Sequence, residues 1–85
     1  MITFDYLITN PNGLHARPAG DLVKLANSFK SHISIYKDGK SADAKSILNV
    51  MALAIREGET ITLIAEGEDE ELAADSIQEL LKERV

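Results

Sequence analysis

The chain contains no cysteine, so neither a disulfide framework nor a thiolate metal site is open to it. Only His15 and His32 remain as imidazole ligands, too few and too isolated for a metal centre, and neither a metal nor any other cofactor is expected. No apolar run approaches the roughly 20 residues of a membrane helix. The start, Met1-Ile2-Thr3-Phe4-Asp5, lacks the basic residues and long apolar stretch of a secretory signal. A soluble, cytoplasmic protein with no membrane insertion is the expectation. There is no basic block either: nine Lys and Arg are scattered among 14 Asp and Glu, for a net charge of −5, which repels nucleic acid phosphate. Direct nucleic acid binding is not expected. A glycine-rich nucleotide loop is also absent, so the chain should not bind ATP itself.

What is present is ordinary for a globular protein: 85 residues, 45% of them apolar and 27% charged. That length lies near the lower end of what one hydrophobic core supports without staples, so residues 1–85 are read as a single domain. Ile2, Phe4, Tyr6 and Ile8 alternate with Thr3, Asp5 and Thr9 as in a half-buried strand, with only Leu7 breaking the period. Asn10-Pro11-Asn12-Gly13 should end it, because Pro11 fixes φ and Asn12-Gly13 tolerates positive φ. From residue 16 to 28, Ala19, Leu22, Val23 and Ala26 recur at helical spacing, with Phe29 continuing the stripe. Pro18 fits the first turn, where its missing N–H has no helical partner to lose.

Residues 31–37 alternate again, with Ile33 and Ile35 on one side, and Asp38-Gly39 signals a tight hairpin into a short strand at 40–43. A short helix should begin after Ser46, whose hydroxyl can accept a bond from a first-turn N–H. Glu57-Gly58-Glu59 breaks the chain before a last strand at 60–66, and after Gly67 a final helix begins with Asp69 as its cap. Its core face is Ala73, Ile77, Leu80 and Leu81; Glu70 and Glu71 at its start, and Lys82 and Arg84 at its end, suit the helix dipole. The order βαββαβα, with short connections, is met most simply by an open-faced sandwich in which three helices cover one face of one sheet.

The run Gly13-Leu14-His15-Ala16-Arg17-Pro18 carries the functional signal. A carrier of phosphate needs a nucleophile that takes a phosphoryl group and releases it, and a neutral imidazole nitrogen, forming a labile N–P bond, does both. A helix N-terminus places free N–H groups and about half a positive charge beside His15, favouring a bound anion and disfavouring imidazolium. Arg17 adds a fixed cation whose planar fork matches phosphate oxygens. Pro18 stiffens the turn. Taken singly, His15 reads as a loop histidine, Arg17 as a surface charge and Pro18 as a helix start; together, after Asn12-Gly13, they read as a phosphate site. His32 lacks such companions and is assigned a surface or structural role. Glu57, Glu59 and the acids from Glu66 to Glu71 are read as a solvated turn and a charged helix start, rather than as a carboxylate-driven hydrolase.

The segments Gly13-Leu14-His15-Ala16-Arg17-Pro18-Ala19, Lys45-Ser46-Ile47 and Glu66-Gly67-Glu68-Asp69-Glu70 resemble those of the histidine-containing phosphocarrier family HPr of the sugar phosphotransferase system, across nearly the whole chain. The resemblance implies an α+β fold: a four-stranded antiparallel sheet covered on one face by three helices. It implies a phosphoryl carrier rather than an enzyme, with enzyme I as donor to the δ nitrogen of His15 and sugar-specific enzyme IIA domains as acceptors. Ser46 would be a regulatory phosphorylation site, bringing in HPr kinase/phosphorylase and a catabolite control regulator as further partners. Ile47, Leu48 and Met51 are either plain core or, with Ile47 and Leu48 foremost, an apolar docking patch near His15; Leu48 stands where relatives often carry Met or Phe. A transient carrier is expected to be a monomer. Two other functions stay open, a regulatory module of the Crh type, whose members lack the active histidine, and a carrier in the nitrogen-related branch.

Overall fold

Strand β1, Ile2–Leu7, keeps its alternation through the residue that breaks it. Ile2, Phe4 and Tyr6 turn toward the core while Thr3, Asp5 and Leu7 face outward, and Ile8 just beyond the strand is fully buried. A strand cannot skip a residue without a bulge, so register overrides the hydrophobicity of Leu7 and leaves it exposed. These features come from a computed structural model that describes residues 1–84, excluding the side chain of Arg84. The expected dipole role of Arg84 and the last residue of the 1–85 domain therefore lie outside the described residues.

Helix α1, Ala16–Ala26, buries Pro18, Ala19, Leu22 and Ala26. It stops two residues short of the expected end because Asn27 and Ser28 turn their side chains back onto it. Asn27 Nδ2 donates to Val23 O at 2.9 Å, beside the helical bond from Asn27 N, and Ser28 Oγ donates to Leu25 O at 2.6 Å, a carbonyl that a longer helix would offer to Phe29 N. Strands β2, His32–Lys37, and β3, Lys40–Asp43, are joined by Asp38 and Gly39. Both have positive φ, 49° and 82°, as a type I′ hairpin requires. Helix α2, Ile47–Ala52, strand β4, Thr60–Glu66, and helix α3, Glu70–Arg84, complete the chain.

The strands form one sheet in the order β1-β4-β2-β3, with every neighbouring pair antiparallel. Its central register aligns Phe4 with Leu63 and Leu63 with Ile35. Ile33, Ile35, Ala42, Ile61, Leu63 and Ala65 are buried on the face covered by the helices. Ala73, Ile77 and Leu81 of α3 complete that core, Ala74 joins them, and Leu80 is only half-buried. The other face carries Asp5, His32, Ser34, Tyr36 and Thr62, with Thr62 Oγ1 donating to Asp5 Oδ1 at 2.6 Å. This is the expected α+β open-faced sandwich. His32 is exposed there, its Nε2 3.2 Å from Ser34 Oγ.

The entry to α3 departs from expectation in one respect. Asp69 occupies the cap position, its carbonyl accepting from Ala73 N at 2.9 Å. Its carboxylate, however, reaches across to the segment before β2, accepting from Ser31 Oγ at 2.5 Å and from Ser31 N and Lys30 N at 2.9 Å each. The Ser31 hydroxyl first, then the Lys30 N–H, hold this carboxyl down to about 2. A buried serine hydroxyl needs a partner, and an anion accepting three donors is a strong one.

Candidate functional site

The segment leading to His15 is held by backbone bonds. Asn12 N donates to Asn10 Oδ1 at 2.9 Å and Gly13 N to Asn10 O at 2.8 Å, a turn closed by an asparagine side chain. Gly13 then adopts φ +63°, and a Cβ there would lie 2.8 Å from Arg56 Cα, closer than two carbons can pack. The glycine is required twice, by its dihedral and by this approach. Leu14 follows, buried, with its N–H donating to Ile55 O at 3.1 Å.

Buried Leu14 and buried Pro18 bracket three exposed residues, His15, Ala16 and Arg17. His15 is the N-cap of α1, with extended φ −84° and ψ −174°, and its carbonyl accepts from Ala19 N at 3.0 Å. Its ring makes no capping bond. The N–H groups of Ala16 and Arg17 meet no carbonyl within the helix, Pro18 has no N–H, and the first turn contains no acidic residue. A helix terminus of this kind, beside an imidazole and a guanidinium, suits an oxyanion.

Helix α2 runs antiparallel to α1, as bonds at both ends show. Leu14, before α1, bonds to Ile55, after α2. Asn27 Nδ2, after α1, donates to Lys45 O at 3.0 Å, before α2, and Lys45 Nζ donates to Phe29 O at 2.8 Å. Ser46 thus lies at the end of α1 remote from His15, roughly a helix length away, ~16 Å at 1.5 Å per residue. Ser46 caps α2 as expected: its Oγ accepts from Asn49 N at 3.3 Å and from Asn49 Nδ2 at 2.9 Å. Val50 is the helix's buried residue. Ile47, Leu48 and Met51 are 39%, 79% and 40% exposed, which removes the plain-core alternative for these three. Leu48 also walls a groove of about 510 Å³ with Lys40, Ser41, Asn49, Ala52 and Leu53.

The turn after α2 is the part of the neighbourhood that sequence reasoning missed. Glu57 is exposed as expected, but Glu59 is not simply solvated. Its Oε1 accepts from Arg56 N at 2.6 Å and from Lys37 Nζ at 3.2 Å, and the same Nζ donates to Ala54 O at 3.2 Å. The Arg56 N–H and then Lys37 hold the Glu59 carboxyl below the usual carboxylate range. Nothing local in the sequence joins residue 37 to residue 59; the pairing of β2 with β4, Tyr36 opposite Thr62, does. Among the described residues no three His, Cys, Asp or Glu side chains cluster to hold a metal, and no helix is long and apolar enough to cross a membrane.

Residues 2–83 match the profile of the PTS-HPr family, described as the PTS HPr component phosphorylation site. The phosphocarrier protein HPr of Lysinibacillus sphaericus is 45% identical over 83 residues, covering 98% of this chain and 94% of that one. The HPr-like protein Crh of Halalkalibacterium halodurans is 55% identical over a shorter stretch of 65 residues, 76% of this chain and 77% of that one. Among solved structures, a histidine-containing phosphocarrier protein of Mycoplasma superposes with a TM-score of 0.95 at 43% identity, over 96% of this chain and 93% of that one.

Proposed function

The chain belongs to the HPr family of phosphotransferase-system phosphocarriers, and from that premise we propose that His15 takes a phosphoryl group from the phosphohistidine of enzyme I and yields it to a histidine of an enzyme IIA domain. The supporting observation is the exposed His15 at the N-cap of α1, its ring making no capping bond, with Arg17 in the same first turn. The lone pair of a neutral ring nitrogen, Nδ1 by family resemblance, forms the new N–P bond as the donor's N–P bond breaks. No water or cofactor enters. Charge spread over the transferring oxygens is met by the N–H groups of Ala16 and Arg17 and by the guanidinium of Arg17, the phosphate clamp. Pro18 fixes the turn's geometry from its buried position. Because the phosphoryl group is only exchanged between histidines, the protein acts as a carrier rather than an enzyme.

Docking falls to Ile47, Leu48 and Met51, an apolar patch on α2, which packs beside α1. A small apolar surface suits successive short-lived partners. Ser46 is the proposed second phosphate site, written by an HPr kinase/phosphorylase and read by a catabolite control regulator. A phosphate there adds nearly two negative charges at the start of α2, where the dipole tolerates them, and alters the surface next to Ile47 and Leu48. At about a helix length from His15, it acts on partner recognition rather than on the histidine itself. The protein works in the cytoplasm as a monomeric single domain.

The similarity to Crh favours one second reading, a regulatory module acting mainly through Ser46 phosphate. His15, absent from members of that kind by family resemblance, separates the two. The test is a chase: the chain labelled by enzyme I and phosphoenolpyruvate is mixed with an enzyme IIA domain. The carrier reading predicts that the label leaves this chain and appears on the acceptor. A chain that takes no label from enzyme I, or keeps it in the presence of every IIA domain of its source, overturns it. Incubation with HPr kinase and ATP then tests Ser46, a gain of phosphate that Ser46→Ala abolishes being the expected result.

A further inference from the structure

The hydrogen bonds around the turn 54–59 lead to a pair of side chains outside the motif. We infer that Lys37 and Glu59 are positioning residues for phosphoryl transfer at His15, acting through the peptide that joins Ile55 to Arg56; this rests on the carrier reading given above.

The turn has two left-handed residues four apart, Ala54 at φ +50° and Gly58 at φ +86°. Such a path has few regular partners, so individual bonds set its shape. Its far half is tied to the end of β1, with Gly58 N donating to Ile8 O at 2.8 Å and Ile8 N to Glu59 O at 2.9 Å. Its near half, Ala54 to Arg56, has backbone bonds from Ala54 N to Met51 O at 3.1 Å and from Glu59 N to Arg56 O at 3.2 Å, and is held in addition by the two side chains. Lys37 Nζ, on a side chain only 11% exposed, grips Ala54 O, and Glu59 Oε1 grips Arg56 N at 2.6 Å. The ion pair between them, Nζ to Oε1 at 3.2 Å, makes one unit of the two grips.

The Arg56 N–H and the Ile55 C=O belong to one peptide plane. Glu59 holds the N–H end of that plane, and the C=O end accepts the N–H of Leu14, the residue before His15. A rigid plane transmits orientation from one end to the other. An anionic acceptor on the N–H also polarises the peptide, strengthening its carbonyl as an acceptor for Leu14. Releasing Glu59 lets the plane tilt and loosens Leu14, and His15 loses its aim toward the incoming phosphorus. A shift of even an ångström in a reacting group can cost about a hundredfold in rate.

The experiment compares the full chain with Glu59→Ala, Glu59→Gln and Lys37→Met in two measurements. The first is hydrogen exchange at the Leu14 amide, referenced to the amides of β2 and β4. The second is steady-state transfer from phosphorylated enzyme I, with kcat and KM separated. Glu59→Ala is expected to speed Leu14 exchange about tenfold over the reference strands and to lower kcat about tenfold, with KM within about twofold. Glu59→Gln, whose amide oxygen still accepts from Arg56 N–H, should recover most of both, and Lys37→Met should fall between. Unchanged Leu14 exchange, a loss confined to KM, or no recovery in Glu59→Gln overturns the positioning role. A parent chain that takes no label from enzyme I overturns the carrier reading itself. A labelled parent whose Glu59→Ala form transfers and exchanges like it overturns only the inference.

Discussion

Replacing Gly13 by alanine should damage both stability and transfer, and the size of the effect can be built from two contributions. The first is conformational: at φ +63° a residue with a Cβ costs about 1–2 kcal/mol. The second is steric, because the new Cβ would fall 2.8 Å from Arg56 Cα, which is backbone and has no rotamer by which to move away. Forcing an extra carbon into a filled space costs about 1–3 kcal/mol. The sum is about 2–5 kcal/mol, and at about 4–8 °C per kcal/mol for a domain of this size its lower end lowers Tm by roughly 8–16 °C. Urea denaturation of the parent and three alanine variants isolates the contributions. Gly58 has φ +86° with open space around it, so Gly58→Ala should show the conformational loss alone, about 1–2 kcal/mol. Gly20, inside α1, has no positive φ, and an added Cβ would meet nothing within 4 Å; Gly20→Ala should gain about 0.4–1 kcal/mol. Displacement of the 13–14 peptide should also slow transfer per folded Gly13→Ala molecule. A Gly13→Ala variant no less stable than Gly58→Ala would refute the close approach to Arg56, and with it the view that residues 55 and 56 set the position of His15.

Three further outcomes follow from single contacts. Asp69 has its folded pKa lowered from 3.8 to about 2, so its contribution is complete above the unfolded value and is lost as pH falls from 3.8 toward 2. Denaturation midpoints across that window should fall less steeply in Asp69→Asn than in the parent, and equal slopes would deny the Ser31 contact its role. Ser46→Ala removes the acceptor for Asn49 N and should cost about 1 kcal/mol, seen as a Tm roughly 4–8 °C lower, whereas Ser46→Asp should stay within a few tenths of a kcal/mol. Arg17→Ala, at an exposed position, should leave the melt within about 0.5 kcal/mol while slowing transfer about 100- to 1000-fold; loss of a cooperative melt would make Arg17 structural instead.

The elements were legible where their signals are local. Alternation at Ile2, Phe4 and Tyr6 marks β1, Asp38-Gly39 marks the hairpin, Pro18 marks the start of α1 and Ser46 that of α2. Those signals depend on periods and caps within a few residues, and the structure keeps them. His15, Arg17 and Pro18 fall at the first turn of α1 for the same reason. What was not legible depends on partners far along the chain. Asp69 reads as a helix cap, yet its carboxylate serves Ser31, 38 residues away. Gly13 reads as a turn residue, but only the folded chain shows that Arg56 lies against it. Glu59 reads as solvated because its cation, Lys37, stands 22 positions earlier. The strand order β1-β4-β2-β3 is likewise a long-range property, which alternation within each strand does not give.

The most direct measurement is intact-mass analysis of the chain after incubation with enzyme I and phosphoenolpyruvate, before and after mild acid, in the parent and in His15→Ala. The account predicts a gain of one phosphate in the parent that acid removes, and no gain in His15→Ala. A parent that gains nothing, or a gain that persists in His15→Ala, would contradict the claim that this histidine at the mouth of α1 carries the phosphoryl group.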